Sequence, residues 1–248
     1  MTPRITAAVA VRVLTQLRRD HRTLALLLVM PCLILTLLWW MFGSGGVRSA
    51  GFDALGPPLL ALIPFTVMFL VTSVTTLRER SSGTLERLLA MPTGKLDFLL
   101  GYAVAFGLVA AAQSVLAVLL CVWALDLDVA GPVWLLVVVA VTNAVLGTAL
   151  GLFVSAFART EFQAVQFMPA LVIPQVLLCG LFIAREAMPR TLEVISDVLP
   201  LSYAVDAMSY VAGRTDIGTE LWRDLGIVLG FTVALLALGA ATLRRRTA

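Results

Sequence analysis

Val133-Trp134-Leu135-Leu136-Val137-Val138-Val139-Ala140-Val141-Thr142-Asn143-Ala144-Val145-Leu146-Gly147-Thr148-Ala149-Leu150-Gly151-Leu152-Phe153-Val154 contains no acidic or basic side chain, and the uncharged run continues on both sides to cover Val129–Ala158. A helix needs about 20 apolar residues to cross roughly 30 Å of hydrocarbon. Five further uncharged runs have this character: Thr23–Val47, Ala54–Leu77, Phe98–Leu125, Phe162–Ala184 and Leu225–Leu243. No segment alternates in the manner of a membrane barrel strand, and backbone in hydrocarbon must satisfy its own hydrogen bonds. The expected fold class is an all-α polytopic membrane protein with six transmembrane helices, over 24–42, 56–77, 98–125, 131–157, 162–183 and 225–243, in a single transmembrane domain spanning 1–248.

Composition agrees. Of 248 residues, 60% are apolar and 13% charged, against about 25% charged in a soluble globule. The mean hydropathy is +0.98 and the pI about 9.1. If both termini lie inside, the inner flanks hold Arg4, Arg12, Arg18, Arg19, Arg22, Arg78, Arg80, Arg87, Lys95, Arg159, Arg244, Arg245 and Arg246, and the outer ones Arg48, Arg185, Arg190, Arg214 and Arg223. That excess predicts cytoplasmic termini by the positive-inside rule and accounts for the basic pI without a nucleic-acid partner. Leu24–Phe42 is longer than the roughly 7–15-residue apolar core of a signal peptide and reads as an uncleaved span. Cys32, Cys121 and Cys179 lie in apolar runs without CxxC spacing and read as packing residues.

The flanks carry further structure. Ile5, Val9, Val13 and Leu17 recur every four residues, with Arg4, Arg12, Arg18, Arg19 and Arg22 opposite, predicting an interfacial helix over 3–22 that rests its apolar face on membrane lipid. Trp39, Trp40, Trp123 and Trp134 mark the outer interface. Gly147, Gly151 and Ser155 form an i, i+4, i+8 ladder that lets a second helix approach closely, within the subunit or in a dimer. Asn143, Gln113, Gln163, Gln166 and Gln175 read first as interhelical hydrogen-bonding groups. Between the fifth and sixth spans, residues 185–212 predict two short outer re-entrant helices broken at Pro200.

Chemistry is notable for what is missing. The sequence contains no Walker phosphate cradle, HExxH or GxSxG motif and no metal-spaced His/Cys set, so no catalytic residue, metal or cofactor is assigned to this chain. The spans hold no Asp, Glu, Lys or Arg, the groups ion-coupled carriers place in their bundles. Energy is expected from another subunit. A membrane-embedded lipid-modifying enzyme or a self-contained, ATP-independent carrier is the alternative, though no polar catalytic cluster marks the former. The charged loop Arg78–Lys95 has its own pattern. Ser82 or Gly83 caps a helix start, Glu86 falls in the first turn, Leu85, Leu88 and Leu89 share a face, and Pro92 ends it. The prediction is a short amphipathic helix over 82–91.

Glu79-Arg80-Ser81-Ser82-Gly83-Thr84-Leu85-Glu86-Arg87-Leu88-Leu89-Ala90-Met91-Pro92 resembles the loop ER-x-x-GT-L-x-x-L-L-x-x-P of bacterial type-2 ABC exporter permeases, and Leu199–Met208 is similar to that family's outer segment. Within the family the chain most resembles the daunorubicin/doxorubicin-resistance-like members; Met208-Ser209 departs from their more common Leu-Arg. The resemblance implies a permease subunit in the bacterial plasma membrane, paired with a second permease copy or paralogue and with two ABC ATPase subunits that bind ATP and Mg. Segment 82–91 would then be a cytoplasmic coupling helix, with Leu85, Leu88 and Leu89 filling a cleft of the ATPase. Gly83, Thr84 and Pro92 belong to the matched motif, while Glu79, Arg80, Glu86 and Arg87 would set orientation. Pro200, Leu201 and Tyr203 would belong to the outer re-entrant segment, and the cargo would be a hydrophobic or amphipathic drug, lipid or glycolipid.

Overall fold

The computed structural model describes residues 3–43, 50–81 and 95–242. Among these the regular structure is helical throughout, and six helices are long and apolar enough to cross a membrane. Helix α1 (Pro3–Arg19) leads into α2 (His21–Gly43), α3 (Ala50–Ser81), α4 (Lys95–Leu119), α5 (Val133–Val154) and α6 (Glu161–Leu178). Two shorter helices, α7 (Arg190–Val198) and α8 (Pro200–Gly213), precede the last long helix, α9 (Thr219–Thr242). Because α2 to α6 and α9 alternate in direction, one end of the bundle gathers Arg12, Arg78, Arg80 and Arg159; it is the basic end below.

Helix α5 is the centre: 67% of its apolar window is buried, against 17% for α2 and for α6. The small-residue ladder explains how it is reached. A Cβ on Gly147 would lie 2.3 Å from the Phe65 carbonyl oxygen, and one on Gly151 2.6 Å from that of Phe69. Backbone of α3 therefore occupies the groove of α5, and only glycine leaves room for it. Asn143 Nδ2 donates to the Ala61 carbonyl at 2.7 Å, one residue from the carbonyl that Pro64, lacking an N–H, leaves without its i+4 donor. The amide thus bridges two helices where α3 is weakest.

Helix α1 departs from the lipid-facing expectation. Its apolar face, Val9, Ala10, Val13 and Leu17, is buried in the protein, in one cluster with Phe98, Leu99, Tyr102 and Phe106 of α4. A Cβ on Gly101 would lie 2.6 Å from Val9 Cβ, so the two helices nearly touch. A single residue separates α1 from α2. The Asp20 N–H closes α1 on the Gln16 and Leu17 carbonyls at 3.1 Å, and the Asp20 carboxylate accepts from Thr23 N–H at 3.2 Å and Thr23 Oγ1 at 2.6 Å, capping α2. These hydrogen bonds hold the Asp20 carboxyl below its usual range.

Two apolar runs leave the α-helix earlier than their composition suggests. The third passes into a π-turn over Leu120–Ala124, ahead of Asp126 at φ 50°. The run expected to be helical through 183 stops at Leu178, and Gly180 reverses the chain at φ +92°, a left-handed conformation that favours glycine. The turn brings Arg185 back toward α7 and α8.

Candidate functional site

At the basic end, three consecutive residues of α3 each hold a different helix. Successive helical residues point about 100° apart, so Arg78, Glu79 and Arg80 face three directions. Arg78 grips Glu161 of α6 side-on, Nε to Oε1 at 2.7 Å and Nη2 to Oε2 at 2.8 Å. The Glu79 carboxylate accepts from Arg12 Nη2 at 3.2 Å and from Gln16 Nε2 at 3.1 Å, both on α1. Arg80 Nη1 donates to the Ser155 carbonyl just past α5, at 2.7 Å. Ser81 Oγ donates to the Arg78 carbonyl at 3.0 Å, where the described part of α3 ends.

Each partner is placed by its own local structure. Thr160 caps α6 by accepting from Gln163 N–H at 3.2 Å, while Gln163 Oε1 accepts from Arg159 N–H at 2.8 Å; this puts Glu161 in the first turn, where the helix dipole favours a carboxylate. Arg12 and Gln16 stand one turn apart on α1, so both reach one carboxylate. Ser155 is the third rung of the small-residue ladder, and its hydroxyl returns to the Leu152 carbonyl at 2.7 Å, leaving its carbonyl to Arg80.

The far side of the charged loop is tied to the same helix. Asp97, in the first turn of α4, is buried and accepts from Thr6 Oγ1 of α1 at 3.3 Å. Helix α1 thus binds both roots of the segment 82–94, through Glu79 on one side and Asp97 on the other. Glu79 and Arg80, singled out from sequence, sit in this cluster. Gly83, Thr84, Leu85, Glu86, Arg87, Leu88, Leu89 and Pro92 lie outside the described residues. Arg12 is named from sequence only as a basic flank residue, and Gln16, Asp97 and Glu161 are not; the signal for the two carboxylates is their place at the edge of an apolar run.

The opposite end carries a second charge cluster. Arg185 pairs with Asp197 of α7 and Asp206 of α8, with its guanidinium 5.2 Å from the Tyr203 ring centroid. Burial opposes the Arg185 charge, but the two carboxylates more than offset it and its pKa lies above the ordinary arginine value. For Asp206, burial outweighs the attraction of Arg185, so its carboxyl sits above the usual range. Ser196 Oγ donates to the Leu178 carbonyl at 2.7 Å, and Tyr203 Oη to the Asp197 carbonyl at 2.7 Å. Pro200 opens α8 at its first turn, and Leu201 is fully buried against the core. The re-entrant candidates therefore form one compact knot around the end of α6.

Among the described residues, no three His, Cys, Asp or Glu side chains group as metal ligands would. At the basic end, one helix end is fixed to three neighbours at the root of segment 82–94.

The description of the ABC-2 type transporter family matches residues 5–212. The chain is 27% identical over 190 residues to the probable multidrug ABC transporter permease YbhR of Escherichia coli, covering 77% of this chain and 52% of that protein. It is 24% identical over 186 residues to the linearmycin resistance permease protein LnrN of Bacillus subtilis, covering 73% and 48%. ABC transporter G family member 20 of Dictyostelium discoideum is 24% identical over 205 residues, 82% of this chain and 28% of that protein. The chain spans about half the length of the two bacterial relatives.

Proposed function

Because this chain belongs to the ABC-2 type transporter family, we propose that it is the membrane-spanning permease subunit of an ATP-driven exporter whose ATPase subunits are separate chains. Both termini face the cytoplasm of a bacterial cell, so the basic end is the inner end. Segment 82–91 is the coupling helix, seated in a cleft of the ATPase through Leu85, Leu88 and Leu89. A second permease copy or paralogue completes the pathway. The cargo is hydrophobic or amphipathic, since the six uncharged runs offer no charged group to bind a strongly ionic one.

The observation that carries this reading is the triple tie of Arg78, Glu79 and Arg80. A displacement of the loop by a partner cannot be absorbed at its root, because α3 is held there to α1, α5 and α6 at once. Closure of the ATPases would then move these helices together and switch access to the pathway. Helix α1, with its apolar face in the protein and Arg4, Arg18 and Arg19 exposed, lies along the inner surface of the membrane. The knot at Arg185 forms the outer closure.

The test is co-expression with an ABC ATPase encoded beside the gene, followed by purification in detergent and reconstitution. ATPase co-purifies with the chain, and hydrolysis drives export from proteoliposomes. Glu86→Ala combined with Leu88→Ala leaves insertion intact and uncouples hydrolysis from export. A chain that never retains the ATPase overturns the exporter reading, and unchanged export in the double variant overturns the role of segment 82–91.

A further inference from the structure

A cavity of about 500 Å³ lies at the basic end, walled by α1, α3, α4, α6 and the first turn of α2. This is within the roughly 300–1,000 Å³ of small-molecule sites. Along α3 it runs from Leu70 to Arg78, roughly 12 Å, close to the depth of one hydrocarbon leaflet, about 15 Å. Its wall is unevenly filled. Leu70, Val71, Val74 and Thr75 of α3 stay only half-buried, while their neighbours Met68, Phe69 and Thr72 are wholly buried. On α6, Val165 lines the cavity and is itself exposed, so the slot opens along the flank of that helix.

The charge around its mouth is positive in sum. Arg78 gives Nε and Nη2 to Glu161, leaving Nη1 for another acceptor. Glu79 is matched by Arg12. Asp20 is exposed, bonded to Thr23, and offset by Arg22 and Arg78. Arg19 follows Gln16 by three residues, and Gln16 lines the cavity, so Arg19 borders the same face of α1. Arg19 and Arg22 are exposed and form no salt bridge among the described residues. Arg19, Arg22 and Arg78 thus stand against Asp20 and Glu161, and Arg18 and Arg159 add the same sign at the adjoining helix ends. An apolar slot about one leaflet deep, with excess arginine at its charged end, matches an anionic phospholipid in both shape and charge.

We propose that this cavity holds one anionic phospholipid of the surrounding bilayer. An acyl chain lies against Leu17, Leu70, Val71 and Val74, and the phosphate sits between Arg19, Arg22 and the unengaged edge of Arg78. The chain fills the space between Val74 and Val165 that the Arg78–Glu161 pair closes only at its end. That the lipid belongs to the inner leaflet rests on the orientation proposed above; that it binds does not.

The full chain in dodecyl maltoside, without ATPase, is equilibrated with tritiated dioleoylphosphatidylglycerol, and dioleoylphosphatidylcholine serves as a competitor with the same chains and no net charge. Binding is saturable, and phosphatidylcholine competes at least about tenfold more weakly. Arg19→Gln combined with Arg22→Gln, both outside the ties of α3, brings the affinity down to the phosphatidylcholine level. Val74→Trp, which fills the slot, removes binding, and Val138→Trp on the exposed side of α5 changes nothing. Glycerophosphoglycerol, the same head without chains, does not compete, which tests the slot even where Val74→Trp fails to fold. No saturable binding, equal competition by phosphatidylcholine, wild-type affinity in the arginine double variant or in a folded Val74→Trp, or full competition by the chainless head overturns the site. An ATPase that never co-purifies, with lipid binding intact, overturns only the exporter reading.

Discussion

The two charge clusters differ in how far along the chain they reach. At the basic end the tied residues are 67, 83 and 91 positions apart, for Arg12–Glu79, Arg78–Glu161 and Thr6–Asp97. At the opposite end Arg185 reaches 12 positions to Asp197 and 21 to Asp206. The distant knot staples one stretch of chain to itself, stabilising a local shape. The basic cluster joins helices that lie far apart along the chain. A staple matters to whether the region folds, and a long-range tie matters to whether helices move together.

That contrast can be broken by substitution. Arg185→Ala is expected to have the largest effect on stability, about 2–3 kcal/mol, because it strands two carboxylates beside a half-buried gap; thermal unfolding in detergent reads it as a shift of several degrees. Arg80→Gln comes next, at about 1.5–2 kcal/mol, from loss of a charge-assisted hydrogen bond to the Ser155 carbonyl. In a double-mutant cycle, Arg12→Ala and Glu79→Ala should couple by about 1 kcal/mol, and the exchange Arg12→Glu with Glu79→Arg should recover much of the loss. No coupling there would mean α1 and α3 are joined by packing alone. Arg78→Gln is the smallest: the Arg78–Glu161 pair is exposed, and its contribution should vanish at high salt. A melt of Arg78→Gln as low as that of Arg185→Ala would erase the distinction.

The six long helices were legible because hydrocarbon length and the absence of charge leave few alternatives. The glycine ladder was legible as a close approach, and its partner was not: Gly147 and Gly151 advertise a groove, but only the packed bundle puts Phe65 and Phe69 backbone into it. Helix α1 shows the limit most clearly. Val9, Val13 and Leu17 specify an apolar stripe, and a stripe reads the same whether lipid or α4 covers it. Gly101, an unremarked glycine inside the third apolar run, was the residue that decided between them. The outer segment was readable as two short helices because Pro200 interrupts it, whereas the early end of α6 at Leu178 was hidden in uniformly apolar sequence. Glu79 and Arg80 stood out as part of a motif, but their partners are separated from them by whole spans, and one of them is a backbone carbonyl that no side-chain pattern can announce.

Helix α3 runs for 32 residues, roughly 48 Å, and is fastened at intervals along its length. Near one end Asp53 Oδ1 accepts from Asp128 N–H at 3.1 Å. In the middle its carbonyls sit on the glycine faces of α5, and at the other end its charges hold three neighbours. Backbone against backbone leaves no side chain to rearrange and so nothing to compress. Under the exporter proposal, a push delivered at Ser81 meets a helix fixed at both ends and braced by Asn143 beside its Pro64 break.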